Sequence, residues 1–179
     1  MIKKITWFAL LSALLAILIV GGCNLVTGTF VVDINVKNTD IVPHGTFEYF
    51  AVDLTTNDTW KNHKDNIKNV DNIGFQLWVT NNGSAVTWEF YADTTSVSHA
   101  DTSSIRANGK QILAGLSLAP GKTYIDWPTS LIYLNSKELP TFKQWVEAGK
   151  FDIYALTDKL PYNVTIDSAH VIITVTAGP

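Results

Sequence analysis

From Thr29 onward, apolar and polar residues alternate with a period of two, the mark of strands with one buried face. Phe30, Val32, Ile34 and Val36 alternate with Val31, Asp33, Asn35 and Lys37. Ile112, Ala114, Leu116 and Leu118 repeat the pattern, as do Val171, Ile173 and Val175. Phe47 to Leu54 is strand-like with apolar residues on both faces. The stretch Ile73 to Ala92 predicts a β-hairpin, because Asn82-Gly83 suits a type I′ turn, whose two central residues need positive φ. That turn pairs Val79 with Val86, Leu77 with Trp88, Phe75 with Phe90 and Ile73 with Ala92. One face is then wholly apolar, and a slip of one residue would mix the faces. Pro120-Gly121 separates Gln111–Leu118 from Thr123–Trp127, and Gly149 precedes a strand over Phe151–Thr157.

Two short helices interrupt the alternation. Trp60, His63, Ile67 and Val70 recur at helical spacing after a Thr59 cap. Leu139, Phe142, Trp145 and Val146 do the same, with Pro140 in the first turn and Gly149 just past the end. Eight or so short strands divided by turn signals predict a single all-β, immunoglobulin-like sandwich over residues 29–179.

The start of the chain has another pattern. Lys3 and Lys4 precede a run from Ile5 to Val20 without a charge, and Gly21-Gly22-Cys23 follows. A basic segment, an apolar segment and a small-residue exit have the physics of a signal peptide. Val20-Gly21-Gly22-Cys23 resembles the lipobox of bacterial lipoproteins, and Cys23 is the chain's one cysteine. The resemblance implies cleavage between Gly22 and Cys23, diacylation of the Cys23 sulfur and acylation of the new amino terminus. Residues 1–22 would be the leader and 23–28 a lipidated tether. The membrane partner would be lipid, through acylated Cys23. Asn24 follows the cysteine where sorting in enterobacterial lipoproteins would need Asp for inner-membrane retention. That implies an outer membrane where the cell has one, and otherwise the outer face of the cell membrane. Ile5 to Gly22 also meets the length of an uncleaved transmembrane anchor. Either way the domain faces away from the cytoplasm.

Composition narrows the chemistry. The chain has 179 residues, with 13 Lys and Arg against 16 Asp and Glu. Losing Lys3 and Lys4 with the leader would take the net charge from −3 to −5. Such a surface has no basic footprint for nucleic acid. One cysteine excludes an intrachain disulfide, a Cys-rich zinc site and a CxxC redox pair.

Candidate sites are sparse. Gly115-Leu116-Ser117-Leu118-Ala119 is a degenerate nucleophile elbow, but Ser117 lies in an alternating strand with no helix following. His44, His63, His99 and His170 include no pair at zinc-ligand spacing. His99 has Ser98 and Asp101 beside it along a loop, whereas triad members meet across a fold. Asp58, Asp65 and Asp71 lie in an Asn-rich connection that reads as solvated helix and turn rather than a calcium loop. No catalytic residue, metal or cofactor is assigned. Trp78 falls on the non-core phase of its strand, and Tyr124 and Trp127 cannot both point inward from a regular strand. These three are the candidate aromatic binding surface.

Leu77-Trp78-Val79-Thr80-Asn81-Asn82-Gly83, with Leu118-Ala119-Pro120-Gly121-Lys122, is similar to the sandwich of type-2 late-embryogenesis/water-stress proteins. That family has Asn-Pro-Asn where this chain has Asn81-Asn82-Gly83. The resemblance implies a sandwich and transfers no site. The expected function is a non-catalytic cell-envelope lipoprotein whose sandwich contacts an envelope protein close to the membrane. The alternatives are a carbohydrate- or small-ligand-binding module using exposed aromatics and, behind it, a hydrolase.

Overall fold

A computed structural model describes residues 28–41 and 47–178, with the side chains of residues 35–41 left aside. The leader, Cys23 and the tether up to residue 27 lie outside the described residues. Eight strands form two antiparallel four-stranded sheets: β1 (Gly28–Ile41), β2 (Phe47–Asp53), β3 (Ile67–Asn81), β4 (Val86–Asp93), β5 (Lys110–Leu118), β6 (Gly121–Ile125), β7 (Lys150–Thr157) and β8 (Val164–Ala177). The first sheet has the order β1-β8-β3-β6 and the second β2-β7-β4-β5. Strands pair β1 with β8, β2 with β7, β3 with β6 and β4 with β5, as in one long antiparallel ribbon rolled on itself. The all-β sandwich is therefore present, with the two-sheet, eight-strand wiring of a jelly roll. An immunoglobulin sandwich has seven or nine strands and another connectivity.

The predicted hairpin does not form. β3 and β4 lie in different sheets, so Asn82 to Ala85 is a corner between sheets. The same alternation is satisfied in another way. Val79, Val86 and Trp88 meet in one core cluster from opposite sheets instead of side by side in one. Gly83 is not among the glycines with positive φ, so the turn is not type I′. Asn81 holds the corner from a position only 2% exposed. Its side-chain amide donates to the Ser84 and Leu118 carbonyls at 2.9 and 3.0 Å, and its Oδ1 accepts from the Gly83 N–H at 2.9 Å.

Two other expectations change for one physical reason. Ile67 and Val70 belong to β3 rather than to a helix. The helix α1 (Asp58–His63) is capped by Asn57, not Thr59, and a 3-10 turn at Lys64–Asn66 ends it. In the β3–β8 ladder two register shifts, Ile67 to Asn69 and Val70 to Asn72, each insert one extra residue in β3. Core positions Ile67, Val70 and Ile73 thus recur every three residues, which imitates helical spacing. In β5, Trp88 pairs with Leu116 and Phe90 with Leu113. The extra residue there includes Gly115 at φ +70°, in the left-handed region that favours glycine. The bulge puts Leu113 inside and Ala114 outside, so the expected phase fails at Ala114, while Ile112 packs against the core as expected.

Three further helices complete the layers: α2 (Thr102–Asn108), α3 (Trp127–Ser130) and α4 (Leu139–Ala148). The predicted pair of helices is therefore joined by α2 and α3. α4 matches expectation, with Pro140 in its first turn and Gly149 at φ +83° closing it. Its Phe142 and Val146 enter the core beside Trp60 of α1. Beyond the end of β6, α3 and α4 cover the edge of β3: the Phe75 N–H donates to Ser130 Oγ at 3.0 Å and the Val70 N–H to Glu147 Oε1 at 3.2 Å. Among the described residues, no helix is long and apolar enough to cross a membrane.

Candidate functional site

On the first sheet's outer face, Trp78 of β3 and Tyr124 of β6 are cross-strand partners. Their rings stack at 4.7 Å and 25°, and the His170 ring of β8 meets the Trp78 edge at 6.1 Å. His170 Nδ1 lies 3.1 Å from the Asp33 carboxylate of β1, so the row crosses the sheet. Tyr124 is 54% exposed. Trp127 does not join the stack: it starts α3, and a Cβ on Gly74 would fall 2.5 Å from its Nε1. Of the three expected aromatics the fold unites two and uses the third as packing over β3.

The second sheet's outer face is built differently. There Phe47 and Tyr49 of β2, Tyr91 of β4, and Tyr154 and Leu156 of β7 form a layer with Ile105 of α2, which is 0% exposed. Arg106 fastens α2 to β4 through Glu89 at 3.2 Å. Asp101 caps the helix by accepting from the Ser104 N–H at 2.7 Å.

At the end of this layer Asp93 and Asp152 are direct cross-strand partners, both buried. Asp93 is well supplied: Oδ1 accepts from the Thr94 N–H at 2.7 Å, and Oδ2 lies 3.0 Å from His99 Nε2. His99 Nδ1 lies 3.0 Å from Ser104 Oγ. With a neutral ring, Nε2–H donates to Asp93 and Nδ1 accepts from the serine hydroxyl. The His99 ring also meets Tyr154 edge-on at 4.9 Å.

Asp152 Oδ1 accepts from the Tyr49 hydroxyl at 3.1 Å, and the Tyr154 hydroxyl donates to the Val97 carbonyl at 3.3 Å. A cleft of about 330 Å³ opens here, lined by Phe47, Tyr49, Tyr154, Asp152, His99 and the 95–98 loop. Burial, and then the fields of Asp152, Tyr49 and Asp93, push the Tyr154 hydroxyl up to about 12.

Sequence reading missed this site. It set aside Ser98 and Asp101 beside His99 as mere loop neighbours, and the fold supplies Ser104 and Asp93 instead. One signal was available: Tyr91 and Asp93 occupy the outward phase of β4, and an aromatic there calls for a covering element. The Ser104–His99–Asp93 chain has the residue types of a hydrolytic triad. However, Oγ bonds Nδ1 rather than Nε2, and Ser104 does not line the cleft.

The other candidates disperse. Ser117 is exposed on β5, 3.2 Å from Thr87 Oγ1. His63 stacks on Phe30 at 3.6 Å. His44 lies outside the described residues. Asp58 pairs with Lys61, and Asp71 accepts from Asn69 and Thr176. Among the described residues no three His, Cys, Asp or Glu side chains are grouped to hold a metal ion.

No family model matches the chain, and no curated protein does. Among solved structures it resembles part of dimeric latent PorU from Porphyromonas gingivalis, at 8% identity and a TM-score of 0.33. It resembles part of infectious bursal disease virus Gx strain at 9% identity and 0.35. These likenesses cover 87% and 84% of this chain but 13% and 32% of the others. At these TM-scores they carry no functional weight.

Proposed function

We propose that the protein is a lipid-anchored, non-catalytic component of the cell envelope, and that its sandwich makes protein contacts close to the membrane. The observation that carries this reading is the spacing between Val20-Gly21-Gly22-Cys23 and the first strand. β1 starts at Gly28, five residues beyond the cysteine. Five residues reach at most about 18 Å at ~3.6 Å each, so an acylated Cys23 holds the sandwich against the membrane surface. Several acyl chains, at about 0.8 kcal/mol per buried CH₂, make that attachment lasting. An outer membrane is the favoured location where one exists. The Tyr124–Trp78–His170 row is the favoured contact surface, because aromatic rings and a polar rim suit protein interfaces. The stack weakens the carbohydrate-binding alternative, since Trp78 and Tyr124 spend ring faces on each other.

The test is palmitate labelling with cell fractionation. Wild type should incorporate label and sediment with membranes, and Cys23→Ala should do neither. Unchanged labelling and retention in Cys23→Ala would mean that the chain is held by something other than acyl groups. Fluorophosphonate labelling of Ser104 separates the hydrolase reading: none is expected, and rapid adduct formation there would make the protein an enzyme.

A further inference from the structure

We infer that the cleft on the second sheet's outer face is a binding site for a small primary alkylammonium ligand. Asp152 is the reason. It is only 3% exposed, lines the cleft and sits opposite another buried carboxylate, a pairing that repels. Asp93 takes hydrogen bonds from Thr94 and His99. Asp152 has the Tyr49 hydroxyl on one oxygen, and no described residue donates to the other. The second oxygen is reached from the cleft, so a carboxylate with about four lone-pair sites has room there for a ligand's donors.

Among the described residues, no lysine, arginine or histidine forms an ion pair with Asp152. Lys150 is 2.9 Å from Asp53, Arg106 binds Glu89, and both His99 nitrogens are committed to Asp93 and Ser104. The walls then select the type of cation. Phe47 and Tyr49 place their rings 6.1 and 5.4 Å from that of Tyr154, and Thr95, Ser96 and Ser98 supply hydroxyls. A hard metal ion needs six to eight oxygen ligands, whereas an ammonium on a short aliphatic stem is served by one carboxylate, hydroxyls and ring faces. A volume of about 330 Å³ is at the small end for ligand sites and fits a stem of a few carbons. The raised Tyr154 hydroxyl agrees with a negative field in the cleft.

The experiment is calorimetric titration of the full-length protein in detergent with n-butylammonium, n-pentanol as the neutral counterpart, and calcium. Saturable one-to-one binding of n-butylammonium is expected, with no binding of pentanol or calcium. Asp152→Asn, checked for folding by near-ultraviolet circular dichroism, should weaken the amine at least tenfold. Tyr49→Phe, which keeps the buried carboxylate and the ring but removes the donor that competes for Asp152, should bind the amine at least as tightly and decides the matter if Asp152→Asn fails to fold. Four results would overturn the site: equal binding of pentanol, calcium binding in place of the amine, full affinity in Asp152→Asn or weakened binding in Tyr49→Phe, or no amine binding up to about 10 mM.

Discussion

The two outer faces of the sandwich are made from similar residues and put to different use. The first sheet leaves Tyr124, Trp78 and His170 in an open row, tied down by stacking and by Asp33. The second sheet roofs Tyr91 and Tyr154 with α2 and the 94–101 segment, and buries two carboxylates and a histidine beside them. An aromatic on the solvent phase of a strand therefore has two fates. Left open, it stays accessible at the surface. Covered, it becomes the wall of a recess in which a buried charge interacts strongly. The first kind of face is cheap to alter, and the second is part of the fold.

That difference can be broken by mutation. Ile105→Ala should have the largest effect, about 2–5 kcal/mol by urea denaturation, because it empties the layer between α2 and the second sheet's outer face. A loss below about 1 kcal/mol would mean that α2 rests on the sheet without packing into it. His99→Phe keeps an aromatic beside Tyr154 but strips a donor from buried Asp93. A cost of about 1–3 kcal/mol is expected, and a neutral result would show that water replaces the imidazole.

Alkaline titration probes the same recess. The Tyr154 hydroxyl is raised from an ordinary 10 to about 12, so the fold favours its protonated form. The stability this contributes is complete below pH 10 and is lost as pH climbs toward 12, where the unfolded chain has already released the proton. Absorbance at 295 nm should show late tyrosine ionisation in the folded protein, shared with Tyr162, whose hydroxyl is also pushed up by burial and by Glu48, and Tyr154→Phe should lower the amplitude of that component by one tyrosine. On the open face, Tyr124→Ala should cost no more than about 1 kcal/mol, the scale of one cross-strand pair. Smallest of all, Gly83→Ala should change stability by less than about 1 kcal/mol in either direction, since Gly83 is outside the left-handed region and its nearest neighbour would lie 3.4 Å from the new Cβ. A severe loss at Gly83 would restore the type I′ hairpin and contradict the corner.

The corner also shows how much of the architecture was legible. Alternation in Ile73–Val79 and Val86–Ala92 correctly marked two strands and their inner faces. It could not say whether those faces lie side by side or opposite each other, because both arrangements bury the same residues. Asn81 decides between them through the Leu118 carbonyl, and the Asn82 N–H donates to the Asn163 carbonyl, both acceptors far away in the chain. The helix predicted through Ile67 and Val70 failed at two bulges, which stretch a period of two into a period of three. α4 was readable because Pro140, the apolar spacing and Gly149 agreed. The aromatic row was half legible: alternation placed Trp78 outside, but the end of β6 at Ile125 and the turn into α3 took Trp127 away. The cleft was hidden because His99, Ser104, Asp93 and Asp152 signify nothing until β4, β7 and α2 are stacked.

The central claim, that an anchored sandwich meets a partner through the first sheet's outer face, is tested most directly by photocrosslinking in intact cells. A photoreactive residue replaces Tyr124 in one strain and Ser117, on the other sheet, in a second. A discrete heavier adduct is predicted from position 124, absent from 117 and lost when Cys23→Ala is added. No adduct at 124, an equal one at 117, or one that survives Cys23→Ala would contradict the account.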